Sequence, residues 1–408
     1  MKTNFIPVLL GSDINVYGMA IQFYEEYNIV SIGVCKTILK VCRNTKLINF
    51  EIVNKDIEND DIFVKCLKEL KNKYKNKKLL LVPCGDNYLE LVVRNQKKLE
   101  KDFYFNVVDD KLFNKICTKE KFYKSCEENN LNYPKTIICD KSSWKNQDIN
   151  LNYPIIVKAS NSPMFWNCSF KNKKKVFIAQ SSEEKDAIIN AIFNSGYDDS
   201  IICQEFIPGD DSYMRVVNAY VGKDSKVKYI SSGKILLEEC TPEGIGSYSA
   251  IINEYNEELC DLVKNYLEKI KYKGFANFDI KYNQLTGEYN FFEINMRQGR
   301  SSFYVFASGH NFAKNLVDDV VYQKNIKFKK VTKKSLYSII PNYIIFKYVS
   351  SKELKKEARN LIKDNLKFNS YYYKKDKNLK RYINFLLNQI NYLNKYHKYF
   401  NNKGKYEK

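Results

Sequence analysis

Residues Gly274 to Phe303 read GFANFDIKYNQLTGEYNFFEINMRQGRSSF, and they are the most informative segment of the 408-residue sequence. Apolar and polar residues alternate on both sides of its middle, as is typical of half-buried strands. The polar segment between them, from Asn283 to Gly287, ends in glycine and is typical of a hairpin loop. The segment therefore predicts two antiparallel strands joined by a short turn.

The register of this hairpin depends on its loop. If the loop is Leu285 to Gly287, with Gly287 at a position of positive φ, then Asp279 lies opposite Glu293. Asn295 follows Glu293 by two residues and faces the same side of the sheet. Mg²⁺ is commonly held by one or two carboxylates together with substrate phosphates and water. We therefore expect Asp279, Glu293 and Asn295 to form a magnesium–nucleotide site.

The alternative is that these three side chains are the solvated face of an ordinary hairpin, since charged residues on strands are usually exposed. Here, however, the second strand continues into the sequence Arg-Gln-Gly-Arg-Ser-Ser at residues 297–302. This continuation is dense in groups that bind anions. It favours the metal site over the solvated face.

These residues resemble the ATP-grasp superfamily, whose carboxylate–amine ligases carry a metal-binding Asp on one strand and Glu-x-Asn on the next. A closer similarity is to the bacterial D-aspartate ligases. It is carried by PVLLGSDINVYGMA at residues 7–20, by QEFIPGDDS with Met-Arg-Val at residues 204–216, and by residues 274–303. The similarity runs in the same order from about residue 5 to residue 322 and is weaker beyond.

The resemblance implies an ATP-dependent, ADP-forming ligase of peptidoglycan synthesis. Such an enzyme activates D-aspartate as an acyl phosphate and joins it to the lysine side-chain amine of a stem-peptide precursor. Because the acyl phosphate already has a good leaving group, no nucleophilic side chain is needed, which agrees with a chain that has only two histidines. Two alternatives stay open: an ATP-grasp ligase for another carboxylate and amine, and a nucleotide- or nucleic-acid-binding protein without catalysis.

The expected fold is α/β in three parts. Residues 1–115 alternate strands and helices, which predicts a doubly wound N-terminal (pre-ATP-grasp) domain. By resemblance, residues 116–328 form the ATP-grasp α+β lobes, and residues 329–408 are a basic, helical C-terminal extension. Within the first domain, strands are expected at residues 5–11, 29–34 and 79–82, and a helix at residues 15–27.

The resemblance assigns two lysines to the ATP phosphates. Lys158 ends the otherwise apolar strand predicted at residues 153–159, where a buried lysine requires an anionic partner. Lys119 lies in the first turn of the helix predicted at residues 117–131. The loop at residues 160–175 contains Pro163 and lacks the glycines of many superfamily flaps. Two interpretations of its lysines at 173–175 are open: closure over the nucleotide by charge, and a solvated charge run, which is the favoured one.

The remaining nucleotide contacts also follow from the resemblance. Backbone groups of Glu205 and Ile207 are implied at the adenine edge, and Asp211 at the ribose hydroxyls. The implied metal is Mg²⁺, with two ions bridged by Glu293 and Mn²⁺ as the alternative metal.

Arginine is rare in this chain, with seven among 67 basic residues. A chain that uses lysine by default is expected to keep arginine where a planar, bidentate donor is needed. Arg297 and Arg300 are therefore the catalytic candidates, for phosphate and for the free carboxylate of the amino acid. Further substrate candidates are residues of the same motifs and of the turn after the first strand: Ser12, Asp13, Asn15, Arg215, Ser301 and Ser302.

The net charge of +20 lies mainly at the C-terminal end, where residues 331–408 hold 19 Lys or Arg against five Asp or Glu. This distribution gives no reason to expect a nucleic-acid partner. There is no apolar run of the ~18 residues that a membrane span needs, and no signal-peptide pattern opens the chain. We therefore expect a cytoplasmic protein without a transmembrane segment.

The C-terminal extension contains an apolar stripe at helical spacing, formed by Tyr382, Phe385, Leu386, Ile390, Leu393 and Tyr396. Three interpretations are open: a helix packed on the catalytic body, a helix in peripheral contact with a membrane surface, and a contact with a partner. Packing is the favoured one, because stripes at helical spacing are usually part of a core.

Overall fold

The structure is a computed structural model that describes residues 4–161, 164–165, 167–242 and 244–403. Pro163 of the predicted loop lies outside the described residues. Three sheets organise the chain, and the described helices pack against them. No helix in this described part is long and apolar enough to cross a membrane.

The first sheet confirms the doubly wound N-terminal domain. Its five parallel strands lie in the order β3-β2-β1-β4-β5, with the bounds β1 Phe5–Leu10, β2 Ser31–Cys35, β3 Ile48–Val53, β4 Lys78–Pro83 and β5 Phe103–Tyr104. The helices of this part are α1 Ile14–Tyr27, α2 Asp60–Lys73, α3 Asp86–Arg94, α4 Gln96–Leu99 and α5 Asp110–Ile116. Successive residues of β1 point to opposite faces of the first sheet. Leu9 lies in the same apolar cluster as α1, and Val8 lies in the same apolar cluster as α2.

The second sheet has four antiparallel strands in the order β6-β9-β7-β8. Their bounds are β6 Thr136–Cys139, β7 Ile155–Ala159, β8 Phe177–Ala179 and β9 Ile201–Glu205. The helix α6 Lys119–Glu128 precedes this sheet, and α7 Ser182–Asn194 covers it. Thr118 caps α6 through its side chain, which accepts a hydrogen bond from the backbone N–H of Lys121.

The third sheet has eight strands. Its order is β14-β13-β10-β11-β12-β16-β17, and β15 pairs with β11. The bounds are β10 Met214–Val221, β11 Val227–Glu238, β12 Tyr248–Asn253, β13 Gly274–Asn283, β14 Glu288–Asn295, β15 Lys329–Lys330, β16 Leu336–Ser338 and β17 Lys367–Phe368. The helices of this part are α8 Glu257–Lys269, α9 Phe303–Ala307, α10 Phe312–Val320, α11 Asn342–Tyr348, α12 Lys352–Lys363 and α13 Leu379–Lys403. Short 3-10 helices lie at Lys40–Cys42, Trp144–Asn146, Asp211–Tyr213 and Arg300–Ser302.

The hairpin of β13 and β14 confirms the predicted pairing of Asp279 with Glu293. The loop has four residues, 284–287, where the prediction had three, and Gly287 has a φ of 75°. A four-residue loop alone would shift the pairing by one position. A bulge between Asp279 and Ile280 compensates for that shift and restores the pairing.

The C-terminal extension is integrated into the body of the protein. Its short strands β16 and β17 extend the third sheet, a contribution that the sequence did not predict. Asp376, which is 2% exposed, accepts hydrogen bonds from the Tyr17 hydroxyl at 2.8 Å, the Thr45 hydroxyl at 2.6 Å and the Lys46 backbone N–H at 3.0 Å. The extension is therefore joined to the first domain as well as to the third sheet.

Helix α13 packs on the body of the protein, as the favoured interpretation had it, but most of the predicted stripe does not take part in this packing. Tyr392 and Tyr396 are buried, whereas most of the predicted stripe is exposed, namely Tyr382, Leu386, Ile390 and Leu393. The prediction that this stripe belongs to the core is wrong for these four residues and correct for Tyr396. The buried face carries tyrosine hydroxyl groups, and these donate hydrogen bonds to Glu239 and to the backbone carbonyl of Glu238.

Candidate active site

A large cleft lies where the three sheets meet, with a volume of about 1780 Å³. The first sheet contributes the turns after β1 and β4, the second sheet contributes Lys158, and the third contributes the hairpin. Of the residues predicted from the sequence, the cleft is lined by Asp13, Asn15, Lys119, Lys158, Asp279, Glu293, Asn295, Arg297, Arg300 and Ser301. Residues far apart in the sequence thus meet at one place.

The hairpin holds the oxygen ligands in a compact group. Asp279 and Glu293 are direct cross-strand neighbours, as are Asn277 and Asn295. The side-chain amide of Asn295 donates hydrogen bonds to Asp279 Oδ2 and to Asn277 Oδ1, both at 3.3 Å. The two carboxylates and the Asn295 amide therefore point to the same side of the hairpin.

The pKa values of the two neighbouring carboxylates are shifted in opposite directions. Burial, followed by the nearby charge of Glu293, raises the pKa of Asp279 to about 7. Burial also acts to raise the pKa of Glu293, but the ammonium groups of Lys119, Lys158 and Lys175 outweigh it and hold that pKa below its ordinary value. A divalent cation at this point would stabilise Asp279 in its charged form.

The donor set fits magnesium. Two carboxylates and one amide oxygen are few ligands, which suits an ion that keeps several waters and binds substrate phosphates. Among the described residues, no group of three His, Cys, Asp or Glu side chains could hold a metal by itself. The site therefore matches the sparse arrangement expected for a metal that arrives with a nucleotide.

Lysines face the carboxylates across the cleft. Lys119 forms an ion pair with Glu293, and the Lys158 ammonium donates to Gln204 Oε1 at 2.9 Å. Burial, together with the nearby charge of Lys119, lowers the pKa of Lys158 to about 7. Positive groups brought together in this way favour binding of a polyanion, and this fits the phosphates of a nucleotide.

Lys175 also lies at the cleft, although a solvated charge run was the favoured interpretation of residues 173–175. It lines the cleft, and its ammonium donates to the backbone carbonyl of Ile245 at 2.8 Å. Burial lowers the pKa of Lys175, with a further contribution from Lys119. The interpretation of the 173–175 run as solvated is therefore wrong for Lys175. A run of three lysines carries no signal for which one turns inward.

The two catalytic arginine candidates both reach protein carboxylates. Arg297 donates to Asp86 at 2.6 Å, across to the first residue of α3, while its Nε atom is buried without a hydrogen-bond partner among the described residues. Arg300 contacts Glu239 at 3.4 Å and the backbone carbonyl of Tyr248 at 3.2 Å. Both guanidinium groups are held in fixed positions at the cleft, and each keeps further N–H groups for a ligand.

The turn after β1 contributes to the cleft wall. Asp13 caps α1, accepting hydrogen bonds from the backbone N–H groups of Asn15 and Val16. The Asn15 amide nitrogen donates to the backbone carbonyl of Cys84 at 3.0 Å, and its Oδ1 atom is buried without a partner within the described part of the chain. Ser12 is directed elsewhere, because its hydroxyl donates to the backbone carbonyl of Thr37 at 2.5 Å.

Several candidates do not line the cleft, namely Ser12, Glu205, Ile207, Asp211, Arg215 and Ser302. The Glu205 N–H donates to the Lys135 carbonyl at 2.8 Å, and Asp211 accepts the backbone N–H of Glu238 at 2.8 Å. Arg215 donates to backbone carbonyls of its own segment, and Ser302 donates to Asn218 while accepting the Gly299 N–H at 2.8 Å. These contacts support the walls of the cleft.

The C-terminal extension forms one wall of the cleft, which the sequence did not predict. The residues involved are Tyr371, Arg381, Asn384, Phe385 and Asn388. Arg381 joins the helix to the segment after β2, because it donates to the carbonyls of Val41 at 2.9 Å and Arg43 at 3.0 Å. Because these contacts join segments more than 300 positions apart, local sequence patterns carried no signal for them.

Comparison with known proteins gives the family. No family model matches the sequence. A curated D-aspartate ligase from Enterococcus faecium (strain Aus0004) is 40% identical over 410 residues, which covers 97% of this chain and 97% of that relative. The match extends through the C-terminal extension, where the motifs quoted above are absent.

Solved structures share the fold at much lower identity. The L-amino acid ligase from Bacillus licheniformis is 13% identical, with a TM-score of 0.56 over 78% of this chain and 75% of that chain. The biotin carboxylase domain of the Hydrogenobacter thermophilus 2-oxoglutarate carboxylase, in complex with MgADP, ADP and bicarbonate, is 12% identical, with a TM-score of 0.60 over 82% and 74%. These similar structures show the ATP-grasp fold. The 40% sequence identity over 97% of both chains shows that this chain belongs to the D-aspartate ligase family.

Proposed function

We propose that this protein uses ATP to join D-aspartate to the lysine side-chain amine of a peptidoglycan stem-peptide precursor. The observation that carries the proposal is the pairing of Asp279 with Glu293 opposite buried lysines in one cleft. This arrangement can hold a magnesium–nucleotide complex, and the D-aspartate ligase relative supplies the substrate. The product places the protein in cell wall biogenesis.

In this proposal the lysines position the nucleotide. Lys119, Lys158 and Lys175 hold the phosphates by charge, and the metal is held by Asp279, Glu293 and Asn295. Two Mg²⁺ ions would share Glu293 as a ligand, and Mn²⁺ is the alternative metal. When bound, Mg²⁺ screens the charge that develops on the transferred phosphoryl group. The adenine contacts of Glu205 and Ile207 and the ribose contact of Asp211 rest on the resemblance alone.

The chemistry itself needs little from the protein beyond orientation. A carboxylate oxygen of D-aspartate attacks the γ-phosphorus, and ADP leaves, so an acyl phosphate is formed. The amine of the acceptor then attacks the acyl carbon, and inorganic phosphate leaves. Arg297 and Arg300 hold the anionic groups of the substrate, and Asp13, Asn15 and Ser301 lie on the same cleft wall.

The substrate proposal predicts a strict preference. We expect phosphate release from ATP to require D-aspartate, with L-aspartate and D-glutamate slower by a factor of about 100 or more, because a pocket built to hydrogen-bond a charged group rejects analogues that leave it unpaired. The measurement is phosphate release across a panel of D- and L-amino acids, with and without a stem-peptide precursor. Equal turnover with another amino acid would leave the family assignment intact and overturn the substrate.

The cellular setting is also a proposal. The acceptor implies work in the cytoplasm, with small-molecule substrates and no nucleic-acid partner. The outward face of α13 is apolar and exposed, at Leu379, Tyr382, Ile383, Leu386, Leu387, Ile390 and Leu393. Its flanking charges are lysines, such as Lys395 and Lys398, and the helix contains no Asp or Glu. This charge pattern is complementary to an anionic membrane surface, and we propose peripheral contact there.

Membrane contact predicts sedimentation with lipid vesicles. We expect the protein to pellet with phosphatidylglycerol vesicles and much less with phosphatidylcholine vesicles, because both the apolar face and the lysines must contribute. Replacing Leu386 and Ile390 together with glutamate should abolish pelleting and leave ligase turnover unchanged. Pelleting of that variant at the wild-type level would contradict the proposed surface.

A further inference from the structure

We propose that Tyr371 and Asn388 of the C-terminal extension belong to the amino-acid pocket beside Arg300 and determine its specificity for a second carboxylate. The inference rests on the proposed function, in which Arg300 holds a carboxylate of D-aspartate. It adds binding residues from a part of the chain that contains none of the recognised motifs.

The inner face of α13 is fixed at both ends. Arg381 donates hydrogen bonds to the backbone carbonyls of Val41 and Arg43 in the first domain. Four residues beyond Asn388, the Tyr392 hydroxyl donates to Glu239 at 2.9 Å, and a turn later the Tyr396 hydroxyl donates to the Glu238 carbonyl at 2.5 Å. Asn388 lies on this same face because the positions recur at helical spacing. The helix therefore holds Asn388 at the cleft wall.

The side-chain amide of Asn388 is not fully satisfied by hydrogen bonds to the described residues. The residue lines the cleft, and its Nδ2 atom is buried with no hydrogen-bond partner among the described residues. A buried amide group without a partner costs free energy, so such groups are rare in folded proteins. An acceptor oxygen supplied by a ligand would satisfy it after a small rotation of the side chain.

Tyr371 belongs to the same neighbourhood. Burial raises the pKa of its phenol, while the nearby charge of Arg300 acts to lower that pKa. Glu239 and Asp13 also lie within electrostatic reach of Tyr371. Because Tyr371 lines the cleft, its hydroxyl group can face a ligand held at Arg300.

The contacts of Arg300 explain why a substrate carboxylate needs further hydrogen-bond donors in this pocket. Its guanidinium already shares charge with Glu239 at 3.4 Å, so its attraction for a substrate carboxylate is reduced. A carboxylate can accept about four hydrogen bonds, and neutral donors can provide those that Arg300 does not. The hydroxyl of Tyr371 and the amide of Asn388 are such donors. Together the three groups favour a substrate with a carboxylate at this position over one with an amide.

The test compares two asparagines of the same helix. Asn388→Ala and Tyr371→Phe should each raise the KM for D-aspartate about 10-fold to 100-fold, the scale of a hydrogen bond to a charged group. The KM for ATP should not change. Asn391→Ala is the matched control, because Asn391 lies on the exposed face of α13. It should behave as the wild-type protein in both constants and in melting temperature.

A charge variant separates binding from a structural role. Asn388→Asp should raise the KM for D-aspartate further than Asn388→Ala, because it places a negative charge against the substrate carboxylate. The inference is overturned if the KM for D-aspartate is unchanged in both Asn388 variants, or if the acceptor KM rises in its place. A wild-type protein that shows no turnover with D-aspartate would overturn the proposed function itself, which is a distinguishable result.

Discussion

Glu293→Gln should lower kcat for phosphate release at least about 100-fold, because a neutral amide cannot balance the charge of bound metal ions that contribute several kcal/mol to the transition state. The substitution keeps the size of the side chain, and the exposed fraction of the Glu293 side chain is 42%, so the fold should be retained. The measurement is a coupled phosphate-release assay beside the melting temperature of both proteins.

The control for this prediction lies on the same strand. Glu288→Gln changes an exposed carboxylate at the first residue of β14 and should leave kcat unchanged. A second measurement is the change in melting temperature on addition of Mg–ATP. The melting temperature of the wild-type protein should rise, and that of Glu293→Gln should rise less. If Glu293→Gln kept wild-type turnover, the metal would have to bind elsewhere in the protein.

Arg300→Lys should raise the KM for D-aspartate by about 10-fold to 100-fold, equivalent to ~1.5–3 kcal/mol of a charge-assisted hydrogen bond. A guanidinium can give a carboxylate two parallel N–H···O bonds, whereas an ammonium is a point donor and loses one of them. The KM for ATP should change little, because the lysines hold the phosphates. Both Michaelis constants and the melting temperature should be measured.

The contact of Arg300 with Glu239 supplies the rival explanation. If Arg300 serves only to pair with Glu239 and the carbonyl of Tyr248, the lysine variant should melt at a lower temperature with an unchanged KM for D-aspartate. Arg94→Lys is the control, because Arg94 forms exposed ion pairs with Glu90 and Asp60 on the surface of the first domain. Exposed pairs of this kind contribute little to stability.

The sequence predicted the centre of the site better than its surroundings. The pairing of Asp279 with Glu293 was correct, although it arises from a four-residue loop and a bulge instead of a three-residue loop. Period-2 alternation reports which face a side chain occupies, and this information survives a bulge that restores the register. The spacing of the ligands was therefore predictable while the loop geometry was not.

The surroundings were harder to predict because they depend on contacts between distant segments. The inward turn of Lys175 and the cleft-facing position of Asn388 follow from tertiary packing. Helix α13 also shows the limit of the apolar-stripe rule, since Ile390 is 54% exposed and Tyr392, outside the predicted stripe, is 3% exposed. A helix that packs against a polar cleft buries hydroxyls and amides, and its apolar residues are left outside.

The hydrogen bonds of Asp376 bear on the order in which the parts of the protein fold. Its hydrogen bonds to Tyr17, Thr45 and Lys46 span 359, 331 and 330 positions of the chain. The first sheet can fold on the ribosome, because its contacts lie within the first quarter of the sequence. Helix α13 is translated much later and docks only after residues 379–403 have left the ribosome. A nascent chain that has not yet reached α13 therefore carries the lysines and carboxylates of the site but lacks the cleft wall that this helix forms.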